Sequence, residues 1–128
     1  ALVHKAEFAS RIITDLPALQ VNADTTLALT MAIHELESNA VKYGALSSGG
    51  GRVTIQAGLQ AAAGGGQALA VSWVEHGGPA VTPPDRQGFG TRLITTVPGR
   101  KLGGTAELTF PREGAEWHFR APIDAVAG

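Results

Sequence analysis

The spacing of apolar residues changes sharply near Gly44, and this change most constrains the fold. Before Gly44, apolar residues recur at steps of three and four, the pattern of an amphipathic helix. The longest such run extends from an N-cap at Asp24 or Thr25 to Val41, and Gly44 is its expected C-terminal stop. After the Ser/Gly turn at 47–51 the period becomes two, which predicts strands.

The other predicted elements follow from the same patterns and from the turn residues between them. They are a helix over 2–16 ended by Pro17, a short strand at 18–22, a hairpin of strands 52–59 and 68–74 joined by a flexible tract at 61–66, a loop at 77–88, a short helix at 89–97, and a strand pair at 105–110 and 116–122. This order predicts a single domain over 1–128, a two-layer α/β sandwich. Its sheet would be mixed but mostly antiparallel, with about five strands and about three helices on one face.

Composition excludes several classes of protein. The 128 residues are 44% hydrophobic and 16% charged, which is too apolar for a disordered chain. The net charge of -1 gives no basic excess for nucleic acid or for an anionic membrane, and no apolar run is long enough to span a bilayer. Without cysteine there is no disulfide and no thiol nucleophile. Because the chain begins with Ala1, we expect a fragment of a longer protein.

Four polar side chains lie near the end of the long helical pattern. Glu35, Asn39 and Tyr43 are spaced by four and share one stripe of the helix, with Lys42 beside it. Carboxylate and amide oxygens suit Mg²⁺, and an ammonium group suits a phosphate. On spacing alone, an ordinary solvated helix face remains the alternative.

His34 and Glu35 do not complete a zinc-protease pattern. That pattern requires a second His four residues after the first, and Ser38 stands there. A lone His at this place is more often a structural residue than a ligand. We therefore expect no zinc site.

Two glycine-rich motifs follow predicted elements. In Trp73–Pro79 a carboxylate ends a strand and is followed by two glycines, which let a ligand approach the backbone. In Gly88–Leu93 a Gly-x-Gly leads into a helix, whose N-terminal amides suit a phosphate. Each motif alone is weak evidence, because an ordinary strand end or turn has the same residues.

Together, the runs His34–Ser47, Trp73–Pro79 and Gly88–Leu93 resemble the ATP-binding catalytic domain of HWE-type sensor histidine kinases. These kinases share the Bergerat-type ATPase fold of gyrase, heat-shock chaperones and mismatch-repair proteins. The name HWE refers to a His in one motif and a Trp-x-Glu in another, which are matched here by His34, Trp73 and Glu75.

The resemblance implies roles for individual residues. Asn39 would ligate Mg²⁺, Glu35 would orient a metal-bound water or assist proton removal, and Lys42 would contact phosphate. Glu75 would accept a hydrogen bond from the amino group of adenine, where an Asp is usual. Glu35 and Lys42 are thus the expected catalytic residues. The expected nucleotide contacts are His34, Asn39, Lys42, Tyr43, Glu75, Gly77, Gly78, Gly88, Phe89, Gly90 and Thr91.

The resemblance also bears on residues 79–87, His34 and Glu37. Residues 79–87 would form a lid, and His34 would brace the site in a way that the residues do not specify. Glu37 stands where the family has a small residue. It lies about 200° around the helix from Glu35, so we expect it to point away from the phosphates.

The reaction that the resemblance implies is transfer of the ATP γ-phosphoryl group to a histidine on a partner dimerisation domain. The phosphoryl group would then pass to a response regulator, in the cytoplasm. No phosphoacceptor motif is found in this chain. Two alternatives stay open. One is a Ser/Thr kinase of the anti-sigma type, and the Trp-x-Glu pair argues against it. The other is a non-catalytic binding module, and the presence of both Glu35 and Asn39 argues against that.

Overall fold

The computed structural model describes residues 11–15, 20–47, 49–62, 64–79, 103–112 and 114–127. Within these residues five strands form one sheet in the order β1-β2-β3-β5-β4. The strands are β1 Ile12–Asp15, β2 Arg52–Ala61, β3 Gln67–His76, β4 Thr105–Thr109 and β5 Glu116–Pro122. β1 pairs with β2 in parallel and the other neighbours are antiparallel, so the predicted mixed, mostly antiparallel α/β sheet is confirmed.

Helical segments cover one face of this sheet. They are α1 Ala23–Lys42, the 3₁₀ turn Ala45–Ser47 and α2 Ile123–Val126. Apolar residues of α1, α2 and alternate positions of the strands share a single core. The short helix predicted at 89–97 lies outside the described residues.

The alternation of buried residues along β3 shows which face of the sheet is covered. Leu69, Val71, Trp73 and Glu75 are buried, whereas the residues between them are half-buried. Period-two alternation is the pattern of a strand with one face packed against the core. Trp73 and Glu75 therefore both face the layer that contains α1.

The start of α1 differs from the predicted N-cap at Asp24 or Thr25. Asn22 is the N-cap, and its side chain accepts a hydrogen bond of 2.8 Å from the backbone N–H of Thr25. The Asn22 amide also donates to the carbonyl of Ala125 over 3.0 Å. This contact with α2 explains the earlier start, because the Asn22 side chain both caps α1 and forms a hydrogen bond to α2. Helix α1 ends at Lys42, as the stop at Gly44 predicted.

The helix predicted over 2–16 is wrong at its described end. Ile12 and Ile13 lie in β1, where Ile12 is buried and Ile13 is exposed. β-branched residues suit a strand, and Ile12 pairs with Val53 of β2. The strand predicted at 18–22 is also wrong where it is described, since Val21 makes only a single bridge, to Ala127.

The predicted hairpin is confirmed. β2 and β3 pair over their whole length, from Arg52 opposite His76 to Ala61 opposite Gln67. The final predicted strand pair is confirmed as β4 and β5. Because β3 lies at the centre of the sheet, its C-terminal end is fixed from both sides. This rigid strand end carries Glu75.

Candidate functional site

The polar stripe predicted on α1 lies at the surface. Glu35 and Asn39 are half-buried and Lys42 is exposed, while Leu36 and Ala40 of the opposite side are in the core. Neither Glu35 nor Asn39 forms a side-chain hydrogen bond to another residue in the part of the chain that the structure describes.

The oxygen donors on α1 fit a magnesium ion that takes most of its ligands from phosphate and water. Asn39 offers an amide oxygen and Glu35 a carboxylate one helical turn away. Mg²⁺ binds readily through one or two protein oxygens when phosphates and waters complete its octahedron. Among the described residues, no group of three or more His, Cys, Asp or Glu side chains could hold a metal alone. The arrangement thus suits a metal that arrives with a phosphate ligand.

Three other residues of the α1 region can be placed. Tyr43 is 65% exposed just after the helix, so its ring is free to contact a ligand. His34 is exposed, and its predicted bracing role stays a prediction. Glu37 is only 7% exposed and does not share the half-exposed stripe.

The carboxylate of Glu75 is buried and held at both oxygens. Oε1 accepts a hydrogen bond of 2.9 Å from the backbone N–H of Ala45, and Oε2 accepts one of 2.9 Å from Nε1 of Trp73. Only 3% of Glu75 is exposed. Burial raises the pKa of Glu75, and the hydrogen bonds from Trp73 and Ala45 oppose that rise in part. The bond to Ala45 also brings the end of β3 against the turn that follows α1.

That turn is held by further contacts. The carbonyl of Ala45 accepts a hydrogen bond of 3.0 Å from Nη2 of Arg11, and Nε of Arg11 donates to the carbonyl of Gly51 over 2.8 Å. Gly77 has a φ of 73°, and a Cβ on Gly78 would overlap the backbone of Ala45. The two glycines after Glu75 therefore allow the chain to turn and to pack directly on the end of the helix.

The opposite face of the sheet carries an open groove of about 650 Å³. It is lined by polar side chains that include Gln56, Ser72, His118 and Arg120. None of the described motif residues, in 34–47 and 73–79, lines it. The candidate site is therefore the helix-covered side, where two of the motifs meet.

Comparison with known proteins gives a consistent family. No family model matches the chain. A blue-light-activated histidine kinase of Brucella anthropi is 38% identical over 118 residues, which are 92% of this chain and 24% of that protein. The protein of the same name from Brucella ovis is 38% identical over 116 residues, 91% of this chain and 24% of the relative.

Solved structures agree on the fold. The histidine kinase domain of the Erythrobacter litoralis EL346 blue-light-activated histidine kinase superposes with a TM-score of 0.73 at 17% identity, covering 89% of this chain and 52% of that one. The mycobacterial sensor histidine kinase MprB gives a TM-score of 0.53 at 18% identity, covering 91% of this chain and 86% of that one. The chain therefore has the features of an HWE-type histidine kinase catalytic domain. It spans about a quarter of the length of the Brucella relatives, 24% of each.

Two of the three motifs of this histidine kinase domain are thus described. The structure brings the Asn39 helix and the Glu75 strand end together through Ala45. The third motif, with its predicted contacts, and residues 80–87 of the predicted lid lie outside the described residues. The residues expected in that third motif are Gly88, Phe89, Gly90 and Thr91.

Sequence reasoning about this kinase domain missed Arg11 and Ala45. Arg11 acts through backbone carbonyls, and Ala45 acts through its own backbone, so neither leaves a side-chain motif in the sequence. The apparent helical spacing around Ile12 also concealed that Arg11 precedes a strand. Within the described residues of the domain, no helix has the length and apolar character needed to cross a membrane.

Proposed function

We propose that this domain binds Mg-ATP against the C-terminal half of α1 and the end of β3. It then transfers the γ-phosphoryl group to a histidine on a phosphoacceptor domain. The observation that supports this most is the hydrogen bond from Ala45 N–H to Glu75, because it joins the metal-suited helix to the proposed base-binding strand end. The relatives named as histidine kinases support the reaction type.

In this proposal Asn39 ligates the metal ion through its side-chain oxygen, and Glu35 lies one turn earlier. Mg²⁺, when bound with ATP, neutralises charge on the phosphate oxygens. The exposed ammonium group of Lys42 adds positive charge for the same phosphates. Catalysis then depends mainly on positioning and charge neutralisation, as is general for phosphoryl transfer.

Glu35 is proposed to handle the proton of the reaction. A histidine nitrogen forms the new bond to phosphorus as the bond between phosphorus and the bridging oxygen of ADP breaks, and the imidazole must lose its N–H proton. The half-buried carboxylate of Glu35 either accepts this proton or orients a metal-bound water. Glu35 and Lys42 are thus the proposed catalytic residues.

Glu75 is proposed to select adenine. An ionised carboxylate accepts about four hydrogen bonds, and Trp73 and Ala45 use two of them. The remaining capacity suits the amino group of adenine and repels the carbonyl oxygen of guanine. Gly77 and Gly78 present no side chain that would keep the base away.

The remaining proposed contacts complete the nucleotide site. Tyr43 and His34 would border the nucleotide, and the Gly88–Thr91 segment would surround the phosphates. We further propose that the phosphoryl group passes from the histidine to an aspartate of a response regulator. Since the reaction consumes ATP, we place it in the cytoplasm.

Calorimetric titration of the chain with ATP and GTP, each with and without Mg²⁺, tests this proposal. We expect Mg²⁺ to strengthen ATP binding and ATP to bind roughly tenfold more tightly than GTP, since an unpaired buried polar group costs about 1–3 kcal/mol. Equal affinities for ATP and GTP would reject Glu75 as the base-selecting residue. Absence of ATP binding at millimolar concentration would reject the site as a whole.

A further inference from the structure

Trp73 does more than fill the core. Its side chain is fully buried, yet its single polar atom, Nε1, lies 2.9 Å from Oε2 of Glu75. The two residues are separated by one position in β3, so their side chains stand side by side on the same face of the sheet. The indole therefore holds one carboxylate oxygen while the backbone of Ala45 holds the other.

This arrangement depends on the length of the Glu75 side chain. An aspartate would withdraw the carboxylate by about 1.5 Å, one carbon–carbon bond. Both hydrogen bonds of 2.9 Å would then exceed the range in which hydrogen bonds form. The same reach explains Gly44, because a Cβ there would overlap Oε1 of Glu75.

A carboxylate held by two donors cannot rotate freely about its last bond. Its two unused acceptor positions then have fixed directions, and a base amino group must meet one of them. Without the indole N–H, the carboxylate would keep one donor and could turn about it. Affinity for the correct base would fall, because the orientation would have to be restored on binding.

We infer that Trp73 is a positioning residue for base recognition, whose indole N–H holds the Glu75 carboxylate in the direction that meets the amino group of adenine. The inference rests on the proposed role of Glu75 in ATP binding. Burial by itself would raise the pKa of Glu75 further, and the bond from Trp73 counteracts that effect. This favours the ionised form, which can accept the hydrogen bond.

The test compares ATP with inosine triphosphate, in which a carbonyl oxygen replaces the amino group of adenine. Trp73→Phe keeps an aromatic ring and removes the N–H. Trp117→Phe is the matched control, because Trp117 is also fully buried and lies opposite Trp73 in β5. We expect the ratio of ATP to inosine triphosphate affinity, measured by calorimetry, to fall about tenfold in Trp73→Phe and to stay at the wild-type value in Trp117→Phe.

If Trp73 had only a structural role, Trp73→Phe would weaken the binding of both nucleotides alike and leave the affinity ratio unchanged. That result would overturn the inference but not the proposal that the domain binds ATP. A wild-type chain that binds both nucleotides equally overturns the role of Glu75 itself. If Trp73→Phe does not fold by circular dichroism, benzothienylalanine at position 73 replaces it, since this residue has the shape of Trp with sulfur in place of the N–H. A lowered ratio with that residue supports the inference, and an unchanged ratio overturns it.

Discussion

Replacing Gly44 with alanine should destabilise the domain strongly. Gly44 is buried two residues after the end of α1. An added Cβ would overlap Oε1 of Glu75 and lie 3.1 Å from the Cα of Ala40. The φ of Gly44 is not in the left-handed region, so the backbone itself would accept alanine. The conflict is with the Glu75 carboxylate, which would have to move and release the N–H of Ala45.

The magnitude follows from three effects. Overpacking a buried position costs about 1–3 kcal/mol. Loss of a hydrogen bond to a charged group costs about 1.5–3 kcal/mol, whereas alanine restricts the unfolded chain and returns about 0.4–1 kcal/mol. We therefore expect Gly44→Ala to lower the free energy of unfolding by about 2–5 kcal/mol, a large part of what a domain of this size has.

Urea titration followed by tryptophan fluorescence measures this change, because Trp73 and Trp117 are both fully buried. Gly58→Ala is the control, since a Cβ on Gly58 would meet nothing within 4 Å. We expect that control to stay within about 0.5 kcal/mol of the wild type.

A double-mutant cycle isolates the conflict with Glu75. In a Glu75→Asp background the shorter side chain leaves room for the added Cβ, so Gly44→Ala should cost less there by at least about 1 kcal/mol. An equal penalty in both backgrounds would refute the reasoning, as would a Gly44→Ala variant as stable as Gly58→Ala.

Three other perturbations test separate parts of the account. Asn39→Ala should remove the Mg²⁺-dependent part of ATP affinity, measured by titration of a fluorescent ATP analogue, and should leave the free energy of unfolding unchanged. The control is Thr30→Ala, at an exposed position of α1. If ATP affinity depends on Mg²⁺ equally in both variants, Asn39 is not a metal ligand. Because burial raises the pKa of Glu75 above its ordinary value of 4.5, the wild type should lose stability relative to Glu75→Gln as the pH rises through and above that value. Urea titrations at a series of pH values test this, and a constant difference between the two proteins would contradict it. Asn22→Ala should lower the free energy of unfolding by about 1–2 kcal/mol, because it removes the helix cap and the contact with Ala125; an unchanged urea midpoint would show that neither contact contributes.

Local patterns predicted the elements whose residues interact with near neighbours in sequence. The body of α1 and the β2–β3 hairpin follow from periods of 3.6 and 2, and both are confirmed. β1 could not be predicted in this way, because Ile12 becomes a strand residue only by pairing with Val53. The N-cap moved to Asn22 for the same reason, since its other partner, Ala125, lies near the end of the chain.

In the candidate site, too, local sequence patterns predicted some features and tertiary contacts determined the others. Helical spacing placed Glu35 and Asn39 on one stripe, and both are half-buried on one side of α1. The internal partners of Glu75 were not predictable, because Ala45 contributes a backbone N–H that leaves no mark in the sequence. Motif spacing therefore located the carboxylate, and only tertiary structure shows what holds it.

The most direct test of the central claim is phosphoryl transfer itself. The chain would be mixed with Mg²⁺, ATP labelled at the γ-phosphorus and a histidine phosphoacceptor domain, with Asn39→Ala as the inactive control. We predict label on the acceptor that is lost in acid and stable in base, as a phosphohistidine is. Acid-stable label would instead indicate a Ser/Thr kinase, and ATP binding without any transfer to the acceptor would contradict the assignment as a histidine kinase catalytic domain.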